Sequence, residues 1–260
     1  MLQKLKQRML SLLNNSYLFF TVSLVISVLL LMNHTSIGVY YFKVLITPVS
    51  VFLHEASHGL AALAVGFDVT ELMMKWRSGH VISVGPSAEM FSRGIISFAG
   101  YAGATIFGLI LFLSSMKWRT FFMSMIVLMA MYFTCFYKDT QTLIVMAYVI
   151  GLLVICALPY GWISYILRFM GAYIMTSSVI SPIYQLEHSR HSDSMNLVSY
   201  FGFTELFYVC LWIAFSCSVI GLSFYLLRRA DIAEAKLQET LAKVSEAGVA
   251  QAAPGMRSLP

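Results

Sequence analysis

Val51-Phe52-Leu53-His54-Glu55-Ala56-Ser57-His58-Gly59-Leu60 lies inside an almost unbroken apolar run covering 38–66. Two imidazoles and a carboxylate stand among Val, Phe and Leu. A charged side chain at the centre of a membrane helix costs at least about 2.5 kcal/mol by insertion scales, so such residues persist there with a partner and a function. The flanking run is long enough to cross a bilayer, which needs about 20 apolar residues. This stretch therefore predicts a membrane helix that carries chemistry.

The rest of the chain agrees with that solvent. Of its 260 residues, 59% are hydrophobic and 11% charged. A soluble domain averages about 25% charged. Seven apolar segments read as spans, at 16–33, 38–66, 94–115, 119–137, 141–158, 161–182 and 204–227. The breaks between them are polar or helix-breaking: Asn33-His34, Gly66-Phe67-Asp68, Lys117-Trp118-Arg119, Lys138-Asp139, Pro159-Tyr160-Gly161, and the stretch from Gln185 to Asn196. The break at Pro159 reads as either a loop or a kink. The expected fold is an all-α, polytopic transmembrane bundle of about six or seven spans.

Residues 68–93 are too polar to span. From Thr70 to Ser83, Leu72, Met74 and Trp76 alternate with polar neighbours, and Ser78-Gly79 offers a turn before His80, Val81 and Ile82. This predicts a small membrane-associated β-hairpin after the second span. The division expected is a transmembrane domain over 1–229, then a C-terminal amphipathic helix and a disordered tail over 230–260. The helix rests on Ile232, Leu237, Leu241 and Val244 set against Asp231, Glu234, Lys236 and Lys243.

The net charge is +5, spread over span ends rather than massed in a stripe. That excludes nucleic acid as a partner and fits loops beside anionic headgroups. Lys4, Lys6 and Arg8 place the N-terminus in the cytoplasm, with Lys75, Arg77, Arg93, Lys138 and Arg190 on the same side. Arg228 and Arg229 disagree, because seven spans put them outside. The first apolar run ends without a small-residue cleavage site, so it reads as a retained span. With no eukaryotic organelle signal, a bacterial cytoplasmic membrane is the expected location. The four cysteines all lie in apolar stretches and form no Cys-x-x-Cys pair, which excludes a disulfide framework.

Positions four apart share a helix face, so His54 and His58 can hold one metal ion. Zinc suits two imidazoles and a carboxylate with one position left to water. Glu55 is then placed to act as general base. The surrounding Ala56, Ser57, Gly59, Ala61, Ala62 and Ala64 are small and let neighbouring helices close on the site. A third protein ligand is required. Glu187, His188, His191 and Asp193 all offer the chemistry, and chemistry alone leaves the choice open.

The segment from Val51 to Ala62, with His-Glu-x-x-His-Gly-x-x-Ala inside a membrane helix, resembles the site-2-protease-like intramembrane zinc metallopeptidases of peptidase family M-fifty. It is most similar to their compact branch, which lacks an inserted peptide-binding domain. Gly100-Tyr101-Ala102-Gly103 resembles that branch's Gly-Tyr-x-Gly segment, and Leu167 to Gly171 followed by Ser192-Asp193-Ser194 resembles its late helix and Ser-Asp-Ala segment. The likeness covers about residues 40–225, and the metal motif is its specific part. It implies Asp193 as third ligand, although this chain lacks the family's usual Asp-Gly and has Gln185 where the branch often carries another Asp. It also implies hydrolysis of a membrane-protein or peptide substrate. A non-catalytic zinc-binding membrane scaffold is the alternative, and an ion transporter is disfavoured by the few ionisable groups in the other spans. The free edge of the hairpin is the expected seat of an unwound substrate, so prolines at Leu72 and Met74 are expected to impair cleavage. Water is expected to enter by way of segments 68–93 and 183–202.

Overall fold

A computed structural model describes residues 16–33, 36–86, 90–114, 118–188 and 192–252. Its elements are α1 (Ser16–Met32), α2 (Ile37–Ala64), β1 (Asp68–Met74), β2 (Gly79–Val84), α3 (Met90–Ser114), α4 (Arg119–Thr134), α5 (Thr140–Ala157), α6 (Gly161–His188), α7 (Asp193–Phe201) and α8 (Glu205–Ala252). Among the described residues five helices are long and apolar enough to cross a membrane: α2, α3, α5, α6 and the first part of α8. α1 and α4 are apolar but shorter, at 17 and 16 residues. Each of the seven apolar runs read from the sequence forms a helix. The break at Pro159 is a true interruption, because α5 ends at Ala157 and α6 starts at Gly161. The described residues divide into two compact units, one within 20–221 and the other made of 16–19 with 222–252.

In the larger unit α3 packs against α2 and α6. The approach to α6 is made at glycine: a Cβ at Gly108 would press on Gly171 O, and one at Gly171 would collide with Gly108 O. Close backbone approach through small residues is how membrane helices gain contact where lipid gives no hydrophobic drive. Pro48 leaves α2 without one backbone donor. One turn away Leu45 O accepts a hydrogen bond from Tyr148 Oη of α5 at 2.8 Å, which ties the interrupted helix to its neighbour. Lys43 folds back to donate to Leu31 O (3.1 Å) and Asn33 O (2.9 Å), capping the carbonyl end of α1. Asp139 caps α5 by accepting from the Thr142 N–H at 2.7 Å.

The hairpin forms as expected, antiparallel, with Leu72 opposite Val81 and Met74 opposite Gly79. Two details differ from the sequence reading. The connection is 75–78, closed by Lys75 N–H donating to Ser78 O at 2.8 Å, so Trp76 lies in the loop rather than in a strand. A bulge between Val69 and Glu71 shifts the alternation, so that Val69, Leu72 and Met74 all bury on one side. The outer edge of β1 is already taken. Leu72 N–H donates to Phe136 O (2.6 Å), Lys138 N–H donates to Leu72 O (3.0 Å), and Met74 N–H donates to Thr142 Oγ1 (2.9 Å).

In the smaller unit Tyr17 meets Phe224 edge-on with centroids 5.3 Å apart, and Leu227 is buried. α8 passes residue 229 without interruption, so the last apolar run and the amphipathic segment after it share one helix. The helix continues to Ala252, and residues 253–260, where the expected tail ends, lie outside the described residues.

Candidate metal centre

α2 presents His54, Glu55 and His58 toward the bundle interior rather than toward lipid. Glu55 is 6% exposed and His58 8%. The rings of His54 and His58 are nearly perpendicular, with centroids 4.7 Å apart. Asp193, the first residue of α7, enters from the other end of the chain. Its Oδ2 lies 3.2 Å from His54 Nε2 and 3.3 Å from His58 Nε2, and the two Nε2 atoms are 3.1 Å apart. Among the described residues these three form the group able to surround an ion. His191 lies outside the described residues, as do the side chains of Glu187 and His188.

These distances permit a fit test. Donor atoms on a tetrahedral ion with bonds of about 2.0 Å stand about 3.3 Å apart. The observed triangle has edges of 3.1, 3.2 and 3.3 Å. The proton arrangement agrees. His58 Nδ1 lies 2.6 Å from Ile96 O and donates its hydrogen there, leaving the Nε2 lone pair facing the cluster in the neutral ring. A carbonyl partner that fixes the tautomer is the usual support of a ligating histidine. Lone pairs and a carboxylate converging on one point need positive charge between them, so the residues fit a metal ion.

Two glycines of α3 make the room. A Cβ at Gly100 would collide with His58 Nε2 and His54 Cε1, and one at Gly103 with Ser57 Oγ. The Gly-Tyr-x-Gly segment is thus the wall against which both imidazoles lie. Tyr101 of that segment packs edge-on to His54 with centroids 4.5 Å apart and is itself seated against Trp212 of α8. Trp212 Nε1–H donates to Phe98 O at 3.0 Å.

A cavity of about 490 Å³ opens beside the cluster, reaching His54 and Glu55. Thr47 and Ser50 of α2 and Ser177, Ser178 and Ser181 of α6 give it a hydroxyl lining. Arg77, Ser78 and Gly79 of the hairpin and Tyr184 and Gln185 of α6 also border it, so both polar segments expected at its mouth contribute. The hydroxyl lining escaped the sequence reading. Its signal is the spacing of Thr47, Ser50 and His54, and of Ser177 and Ser181, which puts them on shared helix faces.

A family model described as peptidase M50B-like matches residues 21–223. The chain belongs to this family. No curated protein and no solved structure matches it. Five spanning-length apolar helices and membership in the M50B-like family together make the chain an integral membrane protein of a peptidase family. The match contains every residue of the cluster.

Proposed function

We propose that the chain is an intramembrane zinc endopeptidase, with His54, His58 and Asp193 as ligands and Glu55 as general base. The observation that carries this reading is the convergence of three donor atoms beside a buried glutamate at a hydroxyl-lined cavity, all within an apolar helix bundle. Zinc, when bound, supplies Lewis acidity that acidifies water and polarises a carbonyl. Glu55 takes a proton from water and returns it to the leaving amine. The Ile96 carbonyl and the Tyr101 ring hold the two imidazoles in place. Hydroxyls of Thr47, Ser50, Ser177 and Ser181 offer water a hydrogen-bonded route past lipid.

The substrate class is a membrane protein or peptide, unwound at the scissile bond. Strand addition remains the proposed mode, but the edge is β2. Leu72 directs its N–H and C=O away from β2, so Val81, its partner in the register, directs its own away from β1. Among the described residues no strand lies on that side. The edge begins at Gly79, where a Cβ would stand 2.9 Å from Glu55 Cγ, so a strand laid along it starts beside the base. We place the N-terminus on the cytoplasmic side on the strength of Lys4, Lys6 and Arg8, and a bacterial cytoplasmic membrane stays the proposed location.

Glu55→Gln tests the reading. Peptide cleavage falls about 100-fold or more, while bound zinc per chain stays at the wild-type level. Cellular function that survives the substitution, with cleavage abolished, would favour a scaffold that merely holds the ion.

A further inference from the structure

Asp193 is flanked by two serines whose hydroxyls converge on one carboxylate oxygen from the next helix. Ser194 Oγ donates to Glu205 Oε1 at 2.6 Å and Ser192 Oγ at 3.0 Å, and the two hydroxyl oxygens are 2.8 Å apart. Ser192 is 2% exposed and Ser194 fully buried. Ser192 is also the N-cap of α7, accepting from Met195 N–H at 3.2 Å. With that N–H feeding Ser192, both hydroxyl protons are free to point toward Glu205. A carboxylate only accepts, and hydrogen bonds to it are about twice as strong as neutral ones.

α7 has nine residues, too few to hold itself. Its far end closes at Gly202, whose φ of 80° is the left-handed turn that stops the helix. Three residues later α8 begins with Glu205, which reaches back to the start of α7. The Ser192–Ser194–Glu205 contact therefore pins the one backbone segment that delivers Asp193 to the imidazoles.

We propose that Glu205 is the positioning residue of the metal centre, acting through Ser192 and Ser194 on Asp193. The assignment rests on the metal-centre reading above. Outer partners of metal ligands are worth about 10–100-fold in metal affinity.

The test measures zinc affinity by chelator competition on the full chain in detergent, with the visible spectrum of the cobalt-loaded protein recorded alongside. Glu205→Ala and Ser194→Ala are each expected to weaken zinc binding about 10-fold or more and to alter the cobalt spectrum. The two together cost no more than Glu205→Ala alone, because both remove the same contact. Glu205→Gln keeps an acceptor oxygen and is expected to stay within about 3-fold of wild type, whereas Glu205→Met keeps the bulk without the acceptor and is expected to lose affinity as alanine does; a bulk packing role would instead leave Glu205→Met like wild type. Wild-type affinity and spectrum in Glu205→Ala, or fully additive losses, overturn the assignment. If Glu205→Ala fails to fold, Ser194→Ala and Glu205→Gln decide: unchanged zinc binding in the first, or alanine-like loss in the second, overturns it equally. A wild-type chain that binds no zinc instead removes the metal-centre reading itself, a result the variants cannot mimic.

Discussion

His58 uses its two ring nitrogens for different tasks: Nδ1 is spent on Ile96 O, and Nε2 is left for the cluster. That division was not legible in the sequence, because Ile96 belongs to another helix. The pairing of His54 with His58 was legible, since a separation of four residues fixes a shared face before any tertiary contact forms. Asp193 was legible only as one of four candidate ligands, and its choice came by resemblance, since contacts over 139 residues leave no periodic trace. Gly100 marks the opposite case: it entered as part of the Gly-Tyr-x-Gly likeness, with no role at the metal attached, whereas the structure sets it directly against both imidazoles. Gly100→Ala therefore predicts at least a 10-fold loss of zinc affinity, measured by chelator competition, with the helical signal unchanged. Unaltered affinity would show that the imidazoles have more room than the geometry allows.

Among the elements, the helices were readable because each apolar run of sufficient length has to satisfy its own backbone inside lipid. The hairpin was readable from alternation, but its turn was displaced to Ser78-Gly79. The bulge before Glu71 and the four-residue connection at 75–78 are set by packing against α2 and by the 136–138 segment, neither of which is local. The same contacts reverse the expected meaning of two substitutions. Proline at Leu72 or Met74 removes an N–H already given to Phe136 O or Thr142 Oγ1, and damages the fold rather than a free edge. Val81→Pro is the informative change, since proline is tolerated on an edge whose N–H faces outward. Zinc content is expected to hold while cleavage of a membrane substrate drops about 10-fold, as expected when main-chain bonds supply the affinity. Undiminished cleavage in a zinc-replete Val81→Pro protein rules out strand addition at β2.

At the scale of the larger unit, apolar helices enclose a polar interior assembled from distant parts of the chain: α2 for two imidazoles, the buried Glu55 and two hydroxyls, α6 for more hydroxyls, α7 for the carboxylate, and the hairpin for the rim. Composition announced the bilayer, and a polar motif in an apolar run announced the chemistry. The enclosure itself needed the three-dimensional arrangement, because serines and threonines satisfy their own helix carbonyls and hardly interrupt an apolar run. Ser178 Oγ, for example, donates to Ile174 O at 3.0 Å while its residue borders the cavity. The most direct check on the account is X-ray absorption at the zinc edge on the purified full chain. It should show one zinc per chain bound by two imidazole nitrogens and oxygen at about 2.0–2.1 Å, with the imidazole signal and the metal lost in His58→Ala. A zinc-free wild-type protein, or a spectrum indifferent to His58→Ala, would contradict it.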